Sequence, residues 1–191
     1  MHTPLNPKFI ALCGAPETGK TTVADYMAAR YGGRVIDDGK VLREACRALY
    51  GLSHEDVYTQ AGKARIKSVG GREFSHRQLL GDLGNLLEGF YGQQFMPERA
   101  IESIAPSDTA RFFLFPSCRK TQGITYRAQG GVVIELIRPD HFPINDFDQY
   151  DRSLVSHVLS NDRDLPALFY QVDFLMERVL GFSAVLPGFV K

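Results

Sequence analysis

The run Phe9-Ile10-Ala11-Leu12-Cys13, followed at once by GAPETGKT at Gly14–Thr21, constrains this chain more than any other feature. Five consecutive apolar residues read as a strand covered on both faces, as strands of a parallel sheet are. The octapeptide fits the pattern GxxxxGK[ST]. Between a strand and a helix, such a loop turns its backbone N–H groups inward around phosphate oxygens, and the helix adds the positive end of its dipole. On this reading Gly14, Ala15, Pro16, Glu17, Thr18, Gly19, Lys20, Thr21 and Thr22 hold a nucleoside triphosphate. Lys20 reaches the β- and γ-phosphates, and the Thr21 hydroxyl ligates Mg²⁺. The loop alone names no reaction, because GTPases, ATPases and small-molecule kinases share it.

Short apolar runs alternate with helical spacing along the remaining sequence, which predicts an α/β fold around a parallel five-stranded sheet with helices on both faces. After the first strand comes a helix over Thr21–Tyr31, then a short strand at Arg34–Asp37. A helix follows, with Val41, Leu42, Ala45 and Leu49 at helical spacing. Ser53-His54-Glu55-Asp56 reads as a variant capping box. From Gly62 to Phe74 the pattern lapses into a basic, glycine-containing stretch, expected to be a mobile loop over the site. Ser75 caps a helix carrying Leu79, Leu80, Leu83, Leu86, Leu87 and Phe90, and another helix lies near Pro97–Ile104. Strands are expected at Phe112–Phe115, Val132–Ile137 and Val155–Leu159, a last helix at Asp164–Val179, and then an apolar tail.

A length of 191 residues suits one domain. Lys+Arg and Asp+Glu number 22 each, a balance that argues against a broad nucleic-acid or membrane surface. It leaves room for a locally positive cleft. Cys13, Cys46 and Cys118 have no CxxC spacing and read as buried thiols of a reducing compartment. The start MHTPLNPK lacks the apolar core of a signal peptide, so a cytoplasmic protein is expected.

In an open parallel sheet, ligands bind beyond the carboxyl ends of the strands. The candidates there are Asp37 and Asp38 after the second strand, Ser117, Arg119 and Lys120 after the third, and Arg138 and Asp140 after the fourth. Arg77 stands near the start of its helix, where a positive charge opposes the helix dipole and calls for an anionic partner. Lys63, Arg65, Lys67 and Arg72 charge the irregular stretch, either to close over phosphates or to keep it soluble.

Four blocks in a fixed order resemble the deoxynucleoside monophosphate kinases of bacteriophages, within the P-loop kinase fold. They are FIALCGAPETGKTTVADYM; VLREACRALYGLSHEDVYTQAGK, ending at Lys63; SHRQLLGDLGN; and FFLFPSCRKTQGITYRAQGGVVIELIRPD with VLSNDRDLPALFYQV. The resemblance implies a single P-loop kinase domain over 1–191, with a helical substrate-side insertion at about 52–104. It implies transfer of the γ-phosphoryl group of ATP to a (deoxy)nucleoside monophosphate, with small-molecule nucleotides as partners and a homodimer left open. Lys20 and Thr21 carry over as phosphate and Mg²⁺ contacts, and Arg77, Arg119 and Lys63 as phosphate or monophosphate contacts. Joined with the strand-end candidates, the expected catalytic residues are Lys20, Arg77 and Arg119, and the expected substrate contacts Asp37, Lys63, Arg77, Arg119, Lys120 and Arg138. Ser117 stands where the family has an acidic residue, so Asp37 or Asp38 would have to supply that carboxylate. Two other readings stay open: a kinase of another small acceptor, and a nucleotide-binding protein without transfer activity.

Overall fold

The computed structural model describes residues 6–144 and 146–185. In chain order the elements are β1 (Phe9–Cys13), α1 (Lys20–Tyr31), β2 (Arg34–Val35), α2 (Lys40–Tyr50), α3 (His54–Tyr58) and α4 (Gln60–Ala64). Then come β3 (Ile66–Val69), β4 (Arg72–Ser75), α5 (His76–Tyr91), α6 (Phe95–Glu102), β5 (Phe113–Phe115) and α7 (Gly123–Ala128). The chain finishes with β6 (Val132–Ile137), β7 (His157–Ser160) and α8 (Leu165–Phe174), which continues as a π-helical stretch at Leu175–Val179.

Five strands form one parallel sheet in the order β2-β5-β1-β6-β7, with β1 central. All five β1 residues are buried, because alternate side chains face opposite layers. Ile10 and Leu12 pack with Val23, Met27, Leu168 and Val172 of α1 and α8. Phe9, Ala11 and Cys13 face the other layer, with Ala100 of α6 and Tyr126 of α7. A third cluster, including Leu42, Cys46, Val57, Leu79, Leu83 and Met96, joins α2, α3, α5 and α6 beside the sheet. Among the described residues, no helix is long and apolar enough to cross a membrane.

Both capping boxes form: Ser53 with Asp56, and Ser75 with Gln78. The expected mobile loop over 62–74 is corrected to the end of α4 and an antiparallel hairpin, β3–β4. Val69 pairs with Arg72, so Gly70-Gly71 is a two-residue turn, and both φ values (59° and 78°) lie in the left-handed region that a type I′ turn requires. The second strand is shorter than expected. Val41 and Leu49 of α2, and Leu86 and Phe90 of α5, are exposed; α2 buries Leu42 and Cys46 instead. Of the apolar tail, Phe182 is buried against Phe112 (ring centroids 4.6 Å apart), and residues 186–191 lie outside the described residues.

Candidate active site

The phosphate loop joins central β1 to α1. Gly14 has φ 137°, and a Cβ there would lie 2.3 Å from the Leu136 carbonyl oxygen, so the turn accepts only glycine. Thr18 is buried and its hydroxyl donates to the Ala15 carbonyl at 3.0 Å. Two neighbouring loops hold the outer rim: Asn161 Nδ2 donates to Thr18 O at 2.9 Å, and Arg138 Nη1 to Glu17 O at 3.2 Å. Lys20 Nζ donates to Gly14 O at 2.8 Å and Ala15 O at 2.6 Å. Burial, reinforced by nearby Arg119, pulls its ammonium down to about 8. Thr21 and Thr22 are exposed at the start of α1 and line a cleft of about 820 Å³ together with Pro16, Glu17, Asn161 and Arg163.

The cleft narrows toward the helical cluster. Arg43, Lys63, Arg77 and Arg119 line both the cleft and a small inner chamber of about 50 Å³. Four cations on four separate segments thus share a cleft with Lys20, a costly arrangement that an anionic ligand relieves. Asp37 holds Arg43 by an ion pair and accepts from the Tyr58 hydroxyl at 3.2 Å, while the Arg43 guanidinium lies 4.7 Å from the Tyr58 ring centroid. Arg77 donates to Gln60 Oε1, and Arg119, half-buried, stands 3.9 Å from Asp148 Oδ1. Burial pulls Lys63 down to about 8, and Arg43, Arg77 and Arg119 push the same way. Burial also lowers Arg119, against the pull of Asp148 and Asp38, yet a guanidinium remains charged.

One expectation needs correction. Lys120 lines neither space: its Nζ donates to Asn85 Oδ1 at 2.6 Å and Glu88 Oε2 at 2.8 Å, on α5. Its positive φ of 43° turns it away from Arg119. The hairpin charges also stay out of the site, with Arg65 paired to Glu55 and Asp56; Lys63 alone of that basic group lines it. The reading of single residues missed Arg43, Asp148, Gln122 and Asn161. Arg43 carries the same signal as Arg77, a cation in the first turn of a helix. Glu88 Oε1 accepts from Gln122 Nε2 at 2.7 Å, and Gln122 Oε1 accepts from the Arg119 N–H at 3.0 Å, so α5 braces the Arg119 loop.

Asp37 and Asp38 diverge. The Asp38 N–H donates to Ile36 O at 2.9 Å, a tight turn that sends its side chain into the inner chamber. Its Oδ2 accepts from the Ser117 N–H at 2.8 Å. Oδ1 is buried and has no hydrogen-bond partner among the described residues. Burial pushes Asp38 up to about 6. The carboxylate lacking at Ser117 is therefore replaced in space from β2, but on the chamber side. Among the described residues no group of three or more His, Cys, Asp or Glu side chains could hold a metal by itself. Thr21, exposed at the start of α1, carries the hydroxyl expected to meet Mg²⁺, and it lines the cleft.

A parallel sheet with the phosphate loop leaving its central strand, helices on both faces and a cation-lined cleft beyond the strand ends defines the P-loop kinase fold. Solved structures similar to the chain include an unliganded sugar kinase from Janibacter sp., at 14% identity over 92% of this chain and 96% of that one, TM-score 0.40. Another is an APS kinase from Mycobacterium tuberculosis, at 16% identity over 90% and 95% of the two chains, TM-score 0.38. At these values the likeness adds nothing about the acceptor. No family model matches the chain, and no curated protein matches it in sequence.

Proposed function

We propose that the protein transfers the γ-phosphoryl group of ATP to a (deoxy)nucleoside monophosphate, giving the diphosphate. The observation that carries this reading is a set of cations beyond the phosphate loop: Arg43, Lys63, Arg77 and Arg119 line one cleft with Lys20. One phosphate chain needs the loop; a further set of four cations suits an acceptor that brings its own phosphate. Backbone N–H groups of 14–21 orient the donor, and Lys20 leaves the Gly14 and Ala15 carbonyls to neutralise charge on the transferring group. Thr21, at the start of α1, is the residue that would hold Mg²⁺, and the ion would offset phosphate charge during transfer. Arg119, which lines both the cleft and the chamber, stabilises the equatorial oxygens of the transition state.

The inner chamber, at about 50 Å³, holds a few waters rather than a nucleobase. On this reading α2, α5 and α6 part from the sheet edge when the acceptor enters. The same narrowness favours a second reading, a kinase of a smaller anionic acceptor. Both are tested by incubating the protein with Mg·ATP and a panel of monophosphates and following ADP. Turnover with deoxynucleotides, lowered at least about 100-fold by Lys20→Ala, supports the proposal. Turnover undiminished in Lys20→Ala would sink it.

A further inference from the structure

Asp38 is a buried carboxylate with half its accepting capacity unused. Its structural task, accepting from the Ser117 N–H, an asparagine oxygen would perform equally well without burying a charge. The unused oxygen, Oδ1, belongs to a residue lining the chamber that Arg43, Lys63, Arg77 and Arg119 also line. A buried carboxylate oxygen kept unpaired on a residue of the chamber wall points to a ligand group that pairs with it.

We propose, resting on the reading above, that Asp38 Oδ1 takes the proton from the attacking oxygen of the acceptor phosphate. A dianionic phosphate beside an ionised carboxylate is a like-charge pair, and such pairs settle by sharing one proton. The acceptor therefore reacts as its monoanion. Its P–OH oxygen forms the bond to Pγ of ATP while the bond from Pγ to the β–γ bridging oxygen breaks, and that electron pair leaves with ADP. The O–H bonding pair stays on the attacking oxygen, and the proton passes to Oδ1. It is lost to solvent as the diphosphate departs. Asp38 sits near neutrality when empty, at about 6, which suits it to take and release a proton.

The groups around it set the balance. Lys20 from the phosphate loop and Arg119 from the segment after β5 favour its ionised form. Arg43, Lys63 and Arg77 line the same chamber, and Asp148 opposes them. Cys118 and Tyr126, both pushed well above their ordinary values by burial, stay neutral beside it.

The test titrates a deoxynucleoside monophosphate into the full chain carrying a non-hydrolysable ATP analogue. It is run at pH 7.5 in two buffers of different ionisation enthalpy, with native protein and with Asp38→Asn. The native protein takes up close to one proton more per acceptor bound than the variant, in which only the partly deprotonated Lys63 contributes. With Mg·ATP the variant loses kcat by about 100-fold or more while the KM for ATP stays within about twofold. Unchanged ATP affinity shows that the variant is folded; should it fail to bind ATP, Asp38→Ala is measured in its place. Equal proton uptake in native protein and variant, or a kcat within about threefold, overturns the role of Asp38 and leaves the proposed function standing. A native protein that binds no monophosphate overturns the proposed function, and this proton transfer with it.

Discussion

Replacing Asp38 by asparagine should make the protein more stable, and increasingly so as pH rises. Burial raises the carboxyl from its ordinary 3.8 to about 6 in the folded chain. A folded-state pKa above the unfolded one means that the native protein binds the proton more tightly than the unfolded chain does. Stability from this group is thus fully present below about pH 4 and is lost as pH climbs through 6. A shift of about two units corresponds to about 3 kcal/mol in full, of which about 2.5 kcal/mol falls between pH 4 and pH 8. Asparagine does not titrate, so its cost for an unpaired amide adds a constant offset and leaves the pH dependence untouched. The asparagine oxygen still accepts from the Ser117 N–H, which keeps the loop after β5 in place. Thermal unfolding of both proteins from pH 4 to pH 8 reads the effect directly. The Tm difference, variant minus native, should grow by roughly 5–10 °C across that range for a chain of this size. Parallel Tm-against-pH curves would show that Asp38 ionises normally, and the argument that a stability cost is borne for chemistry would fall with it.

Two further substitutions separate the donor loop from its bracing. Gly14→Ala places a methyl group 2.3 Å from the Leu136 carbonyl oxygen at a φ of 137°. It should weaken ATP binding at least about tenfold, because the loop must shift off the end of β6; unaltered affinity by calorimetry would refute the close approach. Glu88→Ala removes the buried partner of Lys120 and Gln122. It should cost about 3 kcal/mol in denaturant unfolding and lower kcat through misplacement of Arg119, whereas a loss of stability with kcat intact would show that α5 does not position that arginine.

The donor half of the site is legible residue by residue because it is contiguous. One loop of eight residues carries its own backbone donors, its lysine and its hydroxyl, and the apolar β1 before it fixes where the loop stands in the sheet. The acceptor half is assembled from α2, α4, α5 and the segment after β5, and spacing along the chain says nothing about which side chains meet. Only an energetic oddity marks such a residue: Arg77 is singled out by a charge that opposes its helix dipole. The same oddity marks Arg43, but the apolar spacing of that helix draws attention to Val41 and Leu49, which face solvent. The basic stretch after Gly62 hides a hairpin because its strands are half-exposed and short, so the Gly70-Gly71 pair is the sole signal there.

Adjacent residues expose the limit most clearly. Arg119 and Lys120 share a charge and a place after β5, yet the left-handed backbone at Lys120 sends one to the cleft and the other to Glu88. Asp37 and Asp38 share a place after β2, yet the tight turn at Ile36 gives Asp37 to Arg43 and aims Asp38 at the chamber. The local chemistry of each pair is readable before folding; the direction of each side chain is set by one backbone dihedral or one short hydrogen bond. At Ser117 that difference decides the reading of the whole site. A carboxylate is absent from the expected strand end, and the turn after β2 returns one to the Ser117 backbone N–H, lining the inner chamber and not the cleft of the phosphate loop. If Asp38 takes the proton as proposed, a site that looks deficient in sequence keeps its carboxylate in space, on the chamber side.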